Sequence, residues 1–191
     1  MTAIPASPEL IAIDEYLAGE RMSSTKHEYL GGRVYAMAGG TNTHNAIATN
    51  ALVSLGAQLR GNACRPFNSD TKVRIQFPTH TRFYYPDAMI VCQPGEANAD
   101  YQDSPAVIVE VVSESTRRTD EQEKLEAYLT IPTLRTYVLL EQNRAHATIW
   151  RRAEQGFIRE TAQGLNAVIS FDEIGVRLPL ADVYERIELP V

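Results

Sequence analysis

Two carboxylates stand in apolar company where a strand would bury them. Glu110 sits inside Ala106-Val107-Ile108-Val109-Glu110-Val111-Val112, and Asp87 inside Phe83-Tyr84-Tyr85-Pro86-Asp87-Ala88-Met89-Ile90-Val91. An apolar run of this length predicts a strand covered on both faces. An ionised Glu within it carries a desolvation cost of several kcal/mol unless it is paired, protonated or bound to a metal. By period-2 alternation Asp87 is expected on the face of Phe83, Tyr85, Met89 and Val91, with Pro86 removing one ladder donor and suggesting an edge, bend or bulge. If the two carboxylates fall level on neighbouring strands, they form a hard oxygen site suited to Mg²⁺ or Mn²⁺, which takes few protein ligands and keeps several waters. Such an ion activates water and stabilises a phosphoryl oxygen. The alternative is a core ion pair with buried Arg or Lys. Lys124 is the candidate cation: it precedes Tyr128 by four residues, at the margin of a stripe with Leu125 and Leu129, so its ammonium can reach back to the sheet.

These residues need a scaffold, and the spacing of apolar residues supplies one. Leu10, Ile13 and Leu17 predict a short helix ended by Gly19. Gly31-Gly32 between two strand-like runs predicts a hairpin. Ile47, Ala51, Leu52, Leu55 and Leu59 predict a helix over Thr41 to Arg60, stopped by Gly61. Lys72 to Phe77, Phe83 to Cys92 and Ala106 to Val112 predict three strands. Thr119 to Ile131 predicts a helix with Gln122 in a capping box, closed before Pro132, and Arg135 to Glu141 a further strand. Hairpin strands near Ala147 to Arg151 and Phe157 to Thr161 extend the sheet. The expected class is α/β (α+β), with the order helix, three strands, helix, strand, a mixed central sheet and extra hairpin strands. No repeat, low-complexity tract or linker divides residues 1–191, so a single domain is expected, with 1–8 a loose segment.

Composition narrows the partners. The chain has 191 residues and a formal charge of −6 at pH 7, so its net field does not steer it to phosphate polymers. Cys64 and Cys92 form no CxxC pair, which removes a zinc or redox motif and suggests two buried free thiols. The longest apolar run, Ala88 to Cys92, is far short of a membrane span, and Met1 to Pro8 lacks the basic start and apolar centre of a secretory signal. A cytoplasmic protein is expected. Signatures for serine hydrolases, P-loop NTPases and zinc proteases are absent.

Three further sites are weighed from the residues alone. His44 near the start of the long helix could donate to a phosphate beside the helix dipole, or be a solvated or capping residue. Asp70 could reach the site, or close its own loop turn. Arg117 and Arg118 could touch a nucleic-acid backbone, or be solvated.

The ordered set Lys26-His27-Glu28-Tyr29-Leu30-Gly31-Gly32, Tyr85-Pro86-Asp87, Ile108-Val109-Glu110-Val111-Val112-Ser113, Asp120 to Tyr128 and Ile131-Pro132 resembles the Uma2 family (DUF820) of endonuclease-like proteins, within the PD-(D/E)XK nuclease superfamily. The resemblance covers most of the chain. It implies Asp87 and Glu110 as metal ligands, the carbonyl of Val111 as a further oxygen, and Glu28 as an early acidic position that completes the site if the hairpin folds over the sheet. The superfamily lysine two residues after the acidic one is replaced here by Val112, and Lys124 looks like its migrated substitute, orienting or deprotonating water or stabilising phosphoryl charge. Proximity to a metal would lower its pKa. The implied function is a Mg²⁺- or Mn²⁺-dependent endonuclease acting on nucleic acid, DNA first, with a homodimer plausible through exposed strands near 145 to 161. The competing reading is a non-catalytic binding or regulatory protein on the same fold.

Overall fold

The computed structural model describes residues 10–113, 117 and 119–190. Helix α1 (Ile13–Met22) leads into a hairpin of β1 (His27–Leu30) and β2 (Arg33–Ala36). Gly31 and Gly32 turn it with φ of 59° and 98°, the left-handed pair that a tight two-residue hairpin requires. Helix α2 (Asn42–Gln58) follows. Thr41 caps it, its hydroxyl accepting from the His44 N–H at 3.1 Å, which satisfies one of the donors left over at a helix start. Strands β3 (Arg65–Asn68), β4 (Lys72–Gln76), β5 (Thr81–Tyr84), β6 (Ala88–Val91), β7 (Tyr101–Gln102) and β8 (Pro105–Val112) come next. A π-helical turn (Thr119–Lys124) then runs directly into α3 (Leu125–Leu129), followed by β9 (Thr136–Glu141), β10 (His146–Ala153), β11 (Gly156–Gln163), β12 (Val168–Phe171), β13 (Val176–Pro179) and α4 (Leu180–Val183).

The strands form a six-stranded sheet in the order β11-β10-β9-β8-β6-β3, a five-stranded sheet in the order β2-β1-β5-β4-β7, and a β12-β13 ribbon. In the larger sheet β8 runs parallel to β9 and antiparallel to β6, so this sheet is mixed. Alternation along β8 divides its side chains between two cores. Val107, Val109 and Val111 pack with Ile47, Ala51 and Leu55 of α2, spaced one helical turn apart so that one face of α2 meets the sheet. Ile108 and Val112 pack on the opposite face with Ala127 and Tyr128 of α3 and with Val73, Ile75 and Tyr84 of the smaller sheet. Each large aliphatic side chain so buried contributes about 1.5–3 kcal/mol. Glu110 shares the alternation of Ile108 and Val112, so the interior between the two sheets receives a carboxylate.

Several expectations need correction. The run Phe83 to Cys92 is not one strand: β5 belongs to the smaller sheet and β6 to the larger, and Tyr85-Pro86-Asp87 is the crossover. Proline fixes φ and removes a donor, so the ladder ends there; Asp87 accordingly stands beside β6 rather than on a common face with Phe83. Helix α1 continues past Gly19 to Met22, because Tyr16 is buried and tertiary packing outweighs one glycine. The helix expected from Thr119 starts as a π-turn. Cys64 and Cys92 are not free thiols but a disulfide. Arg65 pairs with Val91 across β3 and β6, so the cysteines, one step beyond, face one another although 28 residues separate them. The β11 strand, the second of the expected hairpin, forms an edge of the larger sheet.

Candidate active site

The β6–β8 register brings the two strand carboxylates level. Ala88 is paired with Val109, so Asp87 falls opposite Glu110. Their groups interlock: the Asp87 N–H donates to Glu110 Oε2 at 3.3 Å, and the Val111 N–H donates to Asp87 Oδ2 at 2.7 Å. The other Asp87 oxygen, Oδ1, lies 3.0 Å from His44 Nε2. His44 reaches it because Thr41 starts α2 at this end of the sheet. Burial disfavours the imidazolium, but the hydrogen bond and charge of Asp87 outweigh burial and raise the His44 pKa above its ordinary value.

Lys124 enters from the π-turn. Its Nζ lies 3.1 Å from Glu28 Oε1, 3.2 Å from Glu110 Oε1 and 3.4 Å from Asp120 Oδ1, and the Tyr128 hydroxyl donates to the same Glu110 oxygen at 2.8 Å. Glu110 is 3% exposed and Lys124 7%. Burial raises the Glu110 pKa well above the ordinary carboxylate value, with Lys124 opposing the rise; burial likewise raises that of Glu28. Lys124 answers to its neighbours. Burial works against its charge, yet Glu110, Glu28 and Asp120 together lift its pKa well above the usual lysine value. As placed, Lys124 is an ammonium held among three carboxylates.

Asp87, Glu110, Val111, Lys124, Asp120 and His44 line one cleft of about 630 Å³. Glu28, carried by β1 of the smaller sheet, joins the group through Lys124. Two other candidates, Asp70 and Arg117, lie apart. Asp70 is paired with Lys26 at 2.6 Å, mostly exposed, and its N–H is taken by Asn68 Oδ1 in a local turn. Arg117 is engaged by both oxygens of Glu141, at 3.0 and 2.7 Å, and by Glu121 at 2.7 Å, so it ties the segment before the π-turn to the end of β9. Arg118 lies outside the described residues.

Asp120 and Tyr128 were missed as site residues by sequence reasoning. The signal was present: residues 120, 124 and 128 recur at intervals of four, which places them along one helical face. That face is lined by aromatic rings as well, Tyr128 standing between Tyr84 and Tyr137 with centroids 5.6 and 5.2 Å away.

Donor chemistry tests whether a divalent cation suits the cleft. Four carboxylates, Glu28, Asp87, Glu110 and Asp120, converge on a region where Lys124 is the cation among them, with His44 beside Asp87 and Lys26 on the cleft lining. Burial raises the pKa of Glu28 and Glu110, and neighbouring carboxylates, Asp120 for both and Asp87 for Glu110, add to the rise. Among the described residues no three His, Cys, Asp or Glu side chains are gathered into a metal cage. Two level carboxylates with an open cleft fit instead a partial shell, in which substrate oxygens and water supply the remainder, as Mg²⁺ prefers.

Fold and geometry together define a restriction-endonuclease-like α+β protein. A crystal structure titled as "a putative nuclease belonging to DUF820", from Anabaena variabilis ATCC 29413, matches with a TM-score of 0.73 over 93% of this chain and 99% of that chain, at 16% identity. The Uma2 family, described as "Putative restriction endonuclease", matches residues 13–181, and the chain belongs to that family. Two Synechocystis proteins are similar to it: uncharacterized protein slr1290, 30% identical over 80% of both chains, and uncharacterized protein sll1609, 26% identical over 88% of this chain and 96% of its own.

Proposed function

We propose that the protein is a Mg²⁺- or Mn²⁺-dependent endonuclease that hydrolyses phosphodiester bonds of nucleic acid, DNA being the first substrate to test. The observation that carries this reading is the level pairing of Asp87 with Glu110 at the wall of a cleft that also holds Lys124. Asp87, Glu110 and the Val111 carbonyl would hold the ion, with Glu28 and Asp120 adding negative charge from the opposite side. When bound, the ion supplies an activated water and neutralises charge on the phosphoryl oxygens. The chain's own residues do the positioning. The Val111 N–H and His44 fix the orientation of Asp87. Tyr128 and Lys124 fix Glu110, leaving Lys124, held in its charged form, to stabilise the negative charge that grows on phosphorus-bound oxygen.

One observation favours a second reading, a catalytically degenerate nucleic-acid-binding or regulatory protein: Lys124 is already surrounded by three carboxylates, as in a core ion pair. Metal dependence separates the two. In calorimetry with Mn²⁺, wild type is expected to bind saturably and Asp87→Ala and Glu110→Ala to lose the signal. In a cleavage screen over DNA and RNA substrates both variants are expected to fall by at least about 100-fold while remaining folded. Cleavage unchanged in purified Asp87→Ala sinks the nuclease reading, and nucleic-acid binding indifferent to chelator and to both substitutions supports the second.

A further inference from the structure

Helix α1 supplies none of the carboxylates of the acidic cleft, yet one of its residues touches both segments that lead into them. The Glu20 side chain, 5% exposed, uses both oxygens. Its Oε1 lies 2.7 Å from His27 Nδ1, and its Oε2 accepts from the His27 N–H at 3.1 Å and from the Tyr85 hydroxyl at 2.6 Å. His27 immediately precedes Glu28, and Tyr85 stands two residues before Asp87. Tyr16, one helical turn before Glu20 and on the same face of α1, donates its hydroxyl to the His27 carbonyl at 2.6 Å. The start of β1 is therefore held at its N–H, its carbonyl and its ring. The Tyr85 ring, 4% exposed, is contacted in turn by Lys72 Nζ at 5.0 Å and Lys26 Nζ at 5.6 Å from its centre, cation–π contacts that seat the ring while Glu20 holds its hydroxyl.

The place of this contact in the sheet gives it a purpose. Strands β1 and β5 pair at Leu30 with Arg82 and at Tyr29 with Phe83. Continued by two residues, that register sets His27 opposite Tyr85, but the ladder ends at Tyr29 and Phe83, where the chain turns through Pro86 toward the larger sheet. The two sheets have separate ladders, so backbone hydrogen bonds do not fix how far Glu28, on one, stands from Asp87, beside the other. We propose that Glu20 is a positioning residue for the acidic site: by tying His27 to Tyr85 where the ladder stops, it sets Glu28 and Asp87 relative to one another. The catalytic meaning of that spacing rests on the nuclease reading; the seating of Glu28 against Lys124, 3.1 Å away, does not.

The test is calorimetry with Mn²⁺ on wild type, Glu20→Ala, Glu20→Gln and Tyr85→Phe, with Asp14→Ala, an exposed acid of the same helix, as a control for charge. Thermal melting verifies each fold; Tyr85→Phe keeps the ring and removes only the hydroxyl, so it carries the test should Glu20→Ala not fold. Glu20→Ala is expected to bind Mn²⁺ about ten-fold more weakly and Tyr85→Phe about three-fold, with kcat for duplex cleavage falling and KM unchanged. Glu20→Gln is expected to stay within about two-fold of wild type, because its amide oxygen accepts from the His27 N–H and the Tyr85 hydroxyl while its NH₂ donates to His27 Nδ1. Wild-type affinity in folded Glu20→Ala or Tyr85→Phe overturns the positioning role, and so does a Glu20→Gln as weak as Glu20→Ala, which assigns the effect to charge. A melting cycle with Glu28→Gln reads the tie without metal or substrate. The drop in melting temperature caused by Glu28→Gln is expected to be about halved in the Glu20→Ala background, and an equal drop overturns the proposal. A wild type that neither binds Mn²⁺ nor cleaves, with the halved drop present, ends the nuclease reading and leaves Glu20 as the tie.

Discussion

At the residue scale the decisive group is Lys124, because three carboxylates depend on it and it depends on them. Removing one member of a buried charge cluster leaves the others uncompensated, at a cost of about 3–5 kcal/mol. Lys124→Ala is therefore expected to lower the urea midpoint by a corresponding amount, while Tyr128→Phe, which removes one hydrogen bond to Glu110, costs only about 1–3 kcal/mol. Equal, small effects of the two would mean that the carboxylates are protonated or wet and that the cluster is not a charge network. Glu110 and Asp87 were legible in the sequence because a carboxylate in an apolar run has few explanations. The charge state of Lys124 was not, since it is set by Glu28 and Asp120 arriving from two other elements.

At the scale of elements, the hairpin of β1 and β2 matters because it brings Glu28 over the larger sheet. Its turn is intolerant at Gly32, where φ is 98° and an added Cβ would lie 2.8 Å from Leu10 Cβ. Gly31 has φ of 59° and meets only His80, at 3.4 Å. Gly32→Ala is expected to destabilise by about 2 kcal/mol or more, from backbone strain plus the clash, and Gly31→Ala by about 1 kcal/mol. Denaturant midpoints of the two variants measure this, and a Gly32→Ala no worse than Gly31→Ala would contradict the close approach of Leu10. The hairpin, α2 and β8 were all readable, because two glycines, a 3.6-residue apolar period and a continuous apolar run are local signals. The short β3 and β7 were not: β3 contains Pro66 and β7 has two residues, so their identity comes from β6 and β4. The disulfide went unread with β3, since a pairing of Cys64 with Cys92 depends on that register. The division of Phe83 to Cys92 between two sheets was hinted at by Pro86, but destination is a tertiary property.

At the scale of the molecule, charge pairs join distant segments and make stability respond to acid. The hydrogen bonds and charge of Arg117 lower the Glu141 pKa below its ordinary 4.5, against the opposing effect of burial. A depressed folded-state pKa contributes stability above the unfolded value and loses it as pH falls through the folded one. Glu141→Gln is thus expected to melt below wild type at neutral pH, with the gap closing as the pH drops below 4.5; a gap independent of pH would assign the loss to packing. The class of the fold was available from element order, whereas the two-sheet arrangement that encloses the cleft was not, because it requires strand order.

The same cluster can be considered in time rather than space. Asp87 and Glu110 leave the ribosome before Lys124, Tyr128 and the whole of β9, the parallel partner that fixes β8 on its other side. A nascent chain therefore holds its acidic pair without its cation and without the sheet that keeps the pair level. The cluster closes only when the π-turn sets Lys124 between Glu28 of the first hairpin and Glu110 of the central strand. A chain that ends before Lys124 therefore carries the acidic pair without the cation that joins it to the first hairpin.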